Sequence, residues 1–277
     1  MHIYVTTEVS NWLEKAEQLQ NCFDTPEEMS DEIKFINLID RGYCNYEDIC
    51  SKNKIITVWK QACEIYEKGR IRSKKVNYLF AKIQISLFQN DLTGARALIK
   101  EGLMAIDMKE QGTYYFLYFK QRYLLCQIVS ILLDDQYCQQ EIEDIFAQIE
   151  DYNYILKSRI SYSVQWLKSI YYFRQKNYMD AFMCIQSSYS SLYENRKITF
   201  QKTYSEQIYS NVCYFLAKGI IDDDISADTI QLTEPRLIMY LKKTSQMSIS
   251  KLKQFINSFQ ATSILQDREH KVNFPTL

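Results

Sequence analysis

Apolar residues return every three or four positions along most of this chain, and short polar joints interrupt them, so the pattern predicts a series of amphipathic helices. A first helix is expected over about residues 8–21, with Trp12, Ala16 and Leu19 on one face. Thr25-Pro26-Glu27-Glu28 then supplies a capping residue followed by proline at the first helical position. The helix it opens carries Met29, Ile33, Phe35, Ile36 and Ile39 and stops near Arg41-Gly42. Asn45 to Cys50 reads as a short turn or helix, and Lys54 to Lys68 as a helix with Ile56, Trp59, Cys63 and Tyr66 on its apolar side. From Ser73 the rhythm is regular, with helices predicted at about 73–89, 92–107, 112–133, 137–150, 153–174, 178–193 and 200–217.

One joint occurs twice. Around Phe88-Gln89-Asn90-Asp91-Leu92-Thr93-Gly94-Ala95, and again around Phe173-Arg174-Gln175-Lys176-Asn177-Tyr178-Met179-Asp180-Ala181, an apolar helix breaks at a polar turn and a second helix opens with a small residue. Connections this tight favour antiparallel neighbours, and successive hairpins can share a continuous core. Ala95 and Ala181 lie 86 residues apart. A middle hairpin turning near Leu133 to Tyr137 halves that interval, giving a period of about 43, longer than the 34 of the commonest two-helix repeat. After Gly219 the periodicity falters at Asp222-Asp223-Asp224 and Asp228. A short helix over Glu234 to Lys243 and an amphipathic one over Ser248 to Phe259 are predicted, and the last ten residues or so read as loose.

Composition narrows the class. The 277 residues are 47% hydrophobic and 24% charged, which favours a folded chain over a disordered one, and six glycines and three prolines are few for a sheet protein. The expected fold class is therefore all-α, a right-handed stack of antiparallel helical hairpins. No basic, apolar leader opens the sequence and no apolar run reaches spanning length, so a cytoplasmic location away from membranes is expected. Eight scattered cysteines read as free thiols. Charge changes sign early: residues 1–50 hold three basic against eleven acidic side chains, and residues 51–80 hold eight against two. The basic stretch Lys68, Arg70, Arg72, Lys74 and Lys75 is short for a phosphate-binding face, since six to ten such contacts need a wider one. Pairing with the acidic N-terminal portion, or plain solvation, is the simpler reading.

The hairpin joints are similar to those of tetratricopeptide repeats. Ala95 and Ala181 match that family's helix-opening small residue, Ile99 and Ile185 the next packing position, and Gly102 and Ser188 the small position after it. Ile83 and Ser169 depart from the usual small residue of the first helix, and neither hairpin is followed by the family's proline. The long, aromatic-rich repeats further resemble the regulatory domains of peptide-sensing bacterial regulators. That resemblance implies that the first helix of each pair lines an inner groove. It would be walled by Asn77, Phe80 and Gln84 from one hairpin and by Trp166, Ile170 and Phe173 from another, with Gln121, Gln127, Gln207 and Asn211 extending the polar set. Carboxamides beside aromatic rings suit an extended peptide, whose backbone they can pair. The N-terminal residues carry no DNA-reading pattern.

Catalysis finds little support. The only histidines are His2 and His270, and neither a phosphate-cradling glycine loop nor a nucleophile elbow occurs. No cofactor or metal is implied. The expected organisation is a helical segment over 1–68, tetratricopeptide-like hairpins over 69–219, capping helices over 220–262 and a flexible tail over 263–277. The expected function is non-enzymatic recognition of a peptide or partner segment in regulation, with homodimerisation as a further arrangement. The alternative is a structural or scaffolding subunit of a homo-oligomer or larger complex, and a nucleic-acid-associated regulator ranks below both.

Overall fold

The computed structural model describes residues 27–44, 52–69, 71, 74–107, 114–134, 138–156, 161–194, 201–222, 239, 242–244, 246–259, 265–267, 269–275 and 277. Among them the chain is almost entirely helical: α1 Glu27–Cys44, α2 Lys52–Glu67, α3 Lys75–Phe88, α4 Leu92–Asp107, α5 Tyr114–Leu132, α6 Gln139–Leu156, α7 Ser161–Arg174, α8 Tyr178–Glu194, α9 Gln201–Ile221 and α10 Ile249–Ser258. Two short strands, β1 Gln266–Asp267 and β2 Val272–Asn273, form an antiparallel pair. The helix expected over 8–21 lies outside the described residues, as does most of the one expected over 234–243.

The chain divides into two compact units, unit 1 over Met1–Lys157 and Lys197–Phe200 and unit 2 over Ser158–Arg196 and Gln201–Leu277. In unit 1 each helix from α1 to α6 packs on the next in sequence, and α3 also meets α5. In unit 2, α7 packs on α8, α8 on α9, and α9 on both α10 and β2. The architecture within each unit is thus a succession of antiparallel helical hairpins.

The two matching joints close with the same bonds. After α3, Asn90 takes a left-handed φ of 62°, and its N–H donates to Leu87 O at 3.1 Å while that of Asp91 donates to Ser86 O at 2.9 Å. After α7, Lys176 takes φ 61°, its N–H donates to Phe173 O at 3.0 Å, and that of Asn177 donates to Tyr172 O at 3.0 Å. Both are Schellman terminations, which satisfy the last carbonyls of a helix. The following residue then caps the next helix: Asp91 Oδ1 accepts from the Gly94 N–H at 2.9 Å, and Asn177 Oδ1 from the Asp180 N–H at 3.3 Å.

Small residues sit where the helices touch. Ala95 and Ala181 are fully buried, and a Cβ on Gly102 would come within 2.2 Å of the Tyr123 ring. At the equivalent place in unit 2, Ser188 Oγ donates to Tyr162 O at 2.6 Å, joining α8 to α7. Three boundaries differ from expectation by four residues or more, one of them the start of α7, expected at about 153 and found at Ser161. Helix α6 runs to Leu156 because no glycine or proline stands between 150 and 156, and propensity alone does not stop a helix there. Helix α9 likewise continues through Gly219 to Ile221.

The segment over 263–277, expected to be a flexible tail, contains the β1–β2 hairpin. Leu265, Asp267, Val272, Asn273, Phe274 and Pro275 are buried. Strands of two residues show no alternation long enough to be read from sequence, and the contacts that fix them come from far along the chain.

Candidate functional site

In unit 2 the inward faces of α7 and α9 meet the outer edge of β2. Gln266 stands opposite Asn273 and Asp267 opposite Val272, and the Phe274 N–H donates to Leu265 O at 3.1 Å. Within a strand the N–H and C=O of one residue point to the same side, and those of its neighbours to the other. Phe274 therefore faces β1, while Asn273 turns its backbone groups away from the ladder.

Those groups are met by side chains. Asn211 on α9 accepts from the Asn273 N–H through Oδ1 at 2.9 Å and donates through Nδ2 to Asn273 O at 2.8 Å. The Trp166 indole on α7 donates to the same carbonyl at 2.6 Å. Trp166, Asn211 and Asn273 are all fully buried. The carboxamide of Asn211 thus replaces a neighbouring strand, making the pair of bonds that an antiparallel partner residue would make. Nothing in these three bonds depends on the side chain of the residue that is held.

Other contacts orient the hairpin. Phe173 stacks on Phe215 with centroids 4.4 Å apart, and the His270 ring meets its edge at 5.9 Å. Arg174, in the last turn of α7, pairs with Asp267, both side chains being only 6% exposed. The other carboxylate oxygen of Asp267 accepts from the N–H groups of Glu269 at 3.1 Å and His270 at 3.2 Å, shaping the turn. Lys271 Nζ donates to Ile256 O at 3.3 Å and Asn257 O at 3.0 Å, covering terminal carbonyls of α10. Burial, then the nearby Asp267 carboxylate, push the Tyr214 phenol above its ordinary range.

The sequence-predicted groove residues divide between two settings. Trp166, Phe173 and Asn211 gather about the hairpin; Ile170 and Gln207 are buried on the same two helices. In unit 1 the corresponding residues lie in helix seams. Gln84 is buried and its Nε2 donates to Cys126 Sγ at 3.2 Å, and Gln121 is fully buried. Phe80 is buried against the edges of Phe119 and Tyr123, with the Arg122 guanidinium 4.5 Å above its ring. Asn77 is half-buried, and Gln127, also half-buried, reaches Glu141 at 3.5 Å.

In the basic stretch, Lys68 is exposed, Lys74 pairs with Glu32 at 3.3 Å and Lys75 with Glu101 at 3.0 Å. Arg70 and Arg72 lie outside the described residues. A cavity of about 490 Å³ opens beside this stretch, lined by Tyr66, Glu67, Gly69, Ile71 and Tyr78. Its rings stack on each other at 4.3 Å, and Tyr78 donates to Glu67 at 2.6 Å, so its polar groups are already engaged.

No group of three or more His, Cys, Asp or Glu among the described residues is placed to hold a metal ion, and no helix among them is long and apolar enough to cross a membrane. Cys63, Cys126, Cys138, Cys184 and Cys213 are free thiols. Burial pushes Cys63 and Cys126 up to about 12 and Cys184 to about 11, which keeps them protonated and poor nucleophiles. Residues that sequence reasoning missed are Arg174, Asp267 and Lys271, whose roles appear only when the hairpin is in place. Comparison with family models, characterised proteins and solved structures finds no match to this chain.

Proposed function

We propose that this chain is a non-enzymatic helical-repeat protein that binds an extended peptide or partner segment on the α7–α9 face of unit 2, in a regulatory role. The observation that carries this reading is the pair of hydrogen bonds between the Asn211 carboxamide and the Asn273 backbone, reinforced by Trp166. A buried carboxamide that reads N–H and C=O together recognises extended main chain whatever its sequence, the mode of strand addition in peptide recognition. Apolar surfaces beside it take the flanking side chains, as they take Val272 and Phe274. The ion pairs of Lys74 and Lys75 favour a protein or peptide partner over nucleic acid as the focus of binding.

The test is a synthetic peptide covering residues 270–277, labelled with a fluorophore and titrated against the full chain and its Asn211→Ala variant. Binding in trans with exchange of the 272–274 amides accelerated by the peptide, and loss of both in the variant, are the expected results. Binding that ignores the substitution, or none at all, would favour a permanently closed hairpin and hence a scaffolding subunit.

A further inference from the structure

One turn before Asn211 on the same face of α9 lies Gln207. It is 1% exposed, yet neither its Nε2 nor its Oε1 has a hydrogen-bond partner among the described residues. A buried carboxamide left unsatisfied costs about 1–3 kcal/mol for each orphaned group. Such a group in a folded protein calls for an explanation, and a partner met in another state of the protein is one.

Geometry identifies that partner. Four residues of helix rise about 6 Å, and two residues of strand advance about 6.6–6.8 Å, so a strand running along α9 meets successive turns with every second residue. Every second residue also turns its backbone to the same edge. The direction follows from the ring contacts: His270 lies against Phe173, which stacks on Phe215, near the C-terminal ends of α7 and α9, and Asn273 lies at Trp166 and Asn211, further back. A strand continued on this course past Asn273 would bring residue 275 towards Gln207 with its backbone facing α9.

Residue 275 is proline. It has no N–H to donate to Oε1, and its ring takes the place of that hydrogen. The chain's own hairpin thus fills the Asn211 position and leaves the Gln207 position unused.

From this we infer that α9 carries two backbone-reading positions in series, Asn211 and Gln207, and that the site takes an extended segment of another chain bearing a non-proline residue two positions after the one held by Asn211, in place of the molecule's own hairpin. The inference rests on the peptide-binding reading above and specifies its ligand: apolar residues on both sides of the Asn211-held residue, as at Val272 and Phe274, then any residue with an N–H. A ligand of this kind satisfies both carboxamides, whereas the hairpin satisfies one. The asymmetry makes the hairpin a displaceable occupant.

Two labelled peptides distinguish the possibilities, one with the sequence of residues 270–277 and one with alanine at the position of Pro275. They are titrated by fluorescence anisotropy against the full chain carrying Val272→Ser and Phe274→Ser, which loosens the hairpin without touching α7 or α9. The alanine peptide should bind about tenfold more tightly, the ratio carried by one hydrogen bond to an otherwise orphaned buried group. Gln207→Leu should remove the difference by weakening the alanine peptide alone. Equal binding of the two peptides to the chain that retains Gln207 would overturn the second position while leaving peptide binding intact. Binding of neither would overturn the peptide-binding reading itself.

A second measurement needs neither added peptide nor a loosened hairpin. Pro275→Ala in the otherwise unaltered chain should slow exchange of the Asn273 and Phe274 amides several-fold relative to the same substitution made with Gln207→Leu. No difference between the two backgrounds would overturn the pairing of Gln207 with residue 275.

Discussion

Phe80 and Trp166 stand at the same place in two copies of one hairpin, 86 residues apart, and do different work. Phe80 is enclosed by side chains of its own unit: Phe119 and Tyr123 at its edges and Arg122 over its face. Trp166 donates instead to a main-chain carbonyl that arrives from 107 residues further along. The carboxamides follow suit, for Gln84 is spent on a thiol in the adjoining helix while Asn211 holds a strand. A helical hairpin of this type can therefore be closed in two ways. Closure by side chains needs a particular neighbour at every position, whereas closure by backbone needs only an extended segment, which makes the second exchangeable.

The sharpest way to break the comparison is at the buried ion pair. Asp267→Ala leaves Arg174 without its carboxylate and removes the acceptor that shapes the turn, so unit 2 should lose about 3–5 kcal/mol in urea unfolding. Hydrogen exchange should localise the loss to residues 265–275 and leave α1–α6 protected. Uniform loss across both units would mean that they do not respond separately.

Next in size is a matched pair. Asn211→Ala strands a buried N–H and weakens the hold on a carbonyl, for an expected cost of about 2–3 kcal/mol. Gln84→Met replaces one weak bond to sulfur with an apolar side chain of similar volume, and should cost about 1 kcal/mol or less. Equal costs would erase the distinction between the two modes of closure.

Acid separates the units differently. Burial lifts the Asp40 carboxyl to about 6, the positive charge of Arg122 opposing it. With a folded pKa above the unfolded one, the protonated form is favoured by folding. Unit 1 should thus gain stability as pH falls from above 6 towards 4, and lose it as pH rises through that window. Asp40→Asn should flatten the dependence in thermal melts across this range.

The smallest effect is expected at the joints. Asn90 tolerates the left-handed conformation, but Lys176 bears its cost, so Lys176→Gly should stabilise the α7–α8 hairpin by about 0.5–1 kcal/mol. Asn90→Gly should change little, and a similar gain at both joints would show that they are not chemically distinct.

These joints were also the most legible part of the chain. A polar pair followed by a small residue is enough to announce a Schellman end and a cap, and the helix ends that meet at each joint fall within about two residues of expectation. The end of α6 was not legible, because nothing local marks it. Helical register places Trp166, Ile170 and Phe173 on one face of α7, as it places Phe80 and Gln84 on α3, and all five are buried. Register says which side chains share a face, however, and not whether a neighbouring helix or an incoming strand covers it. For that reason Gln84 and Asn211 looked alike in sequence. Arg174 and Asp267, separated by 93 residues, form a pair that no local pattern announces.

The sequence distances inside unit 2 also order events in time. The joints of the hairpins close through bonds between residues three to five apart, whereas Asn273 waits for partners 62 and 107 positions away. Local contacts form fast and distant ones slowly. In refolding, helical signal should accordingly appear before the change in Trp166 fluorescence that marks docking of β2. A newly made molecule would then pass through an interval in which its helices are assembled and the face of α9 is still bare, and a segment present during that interval would meet no competitor.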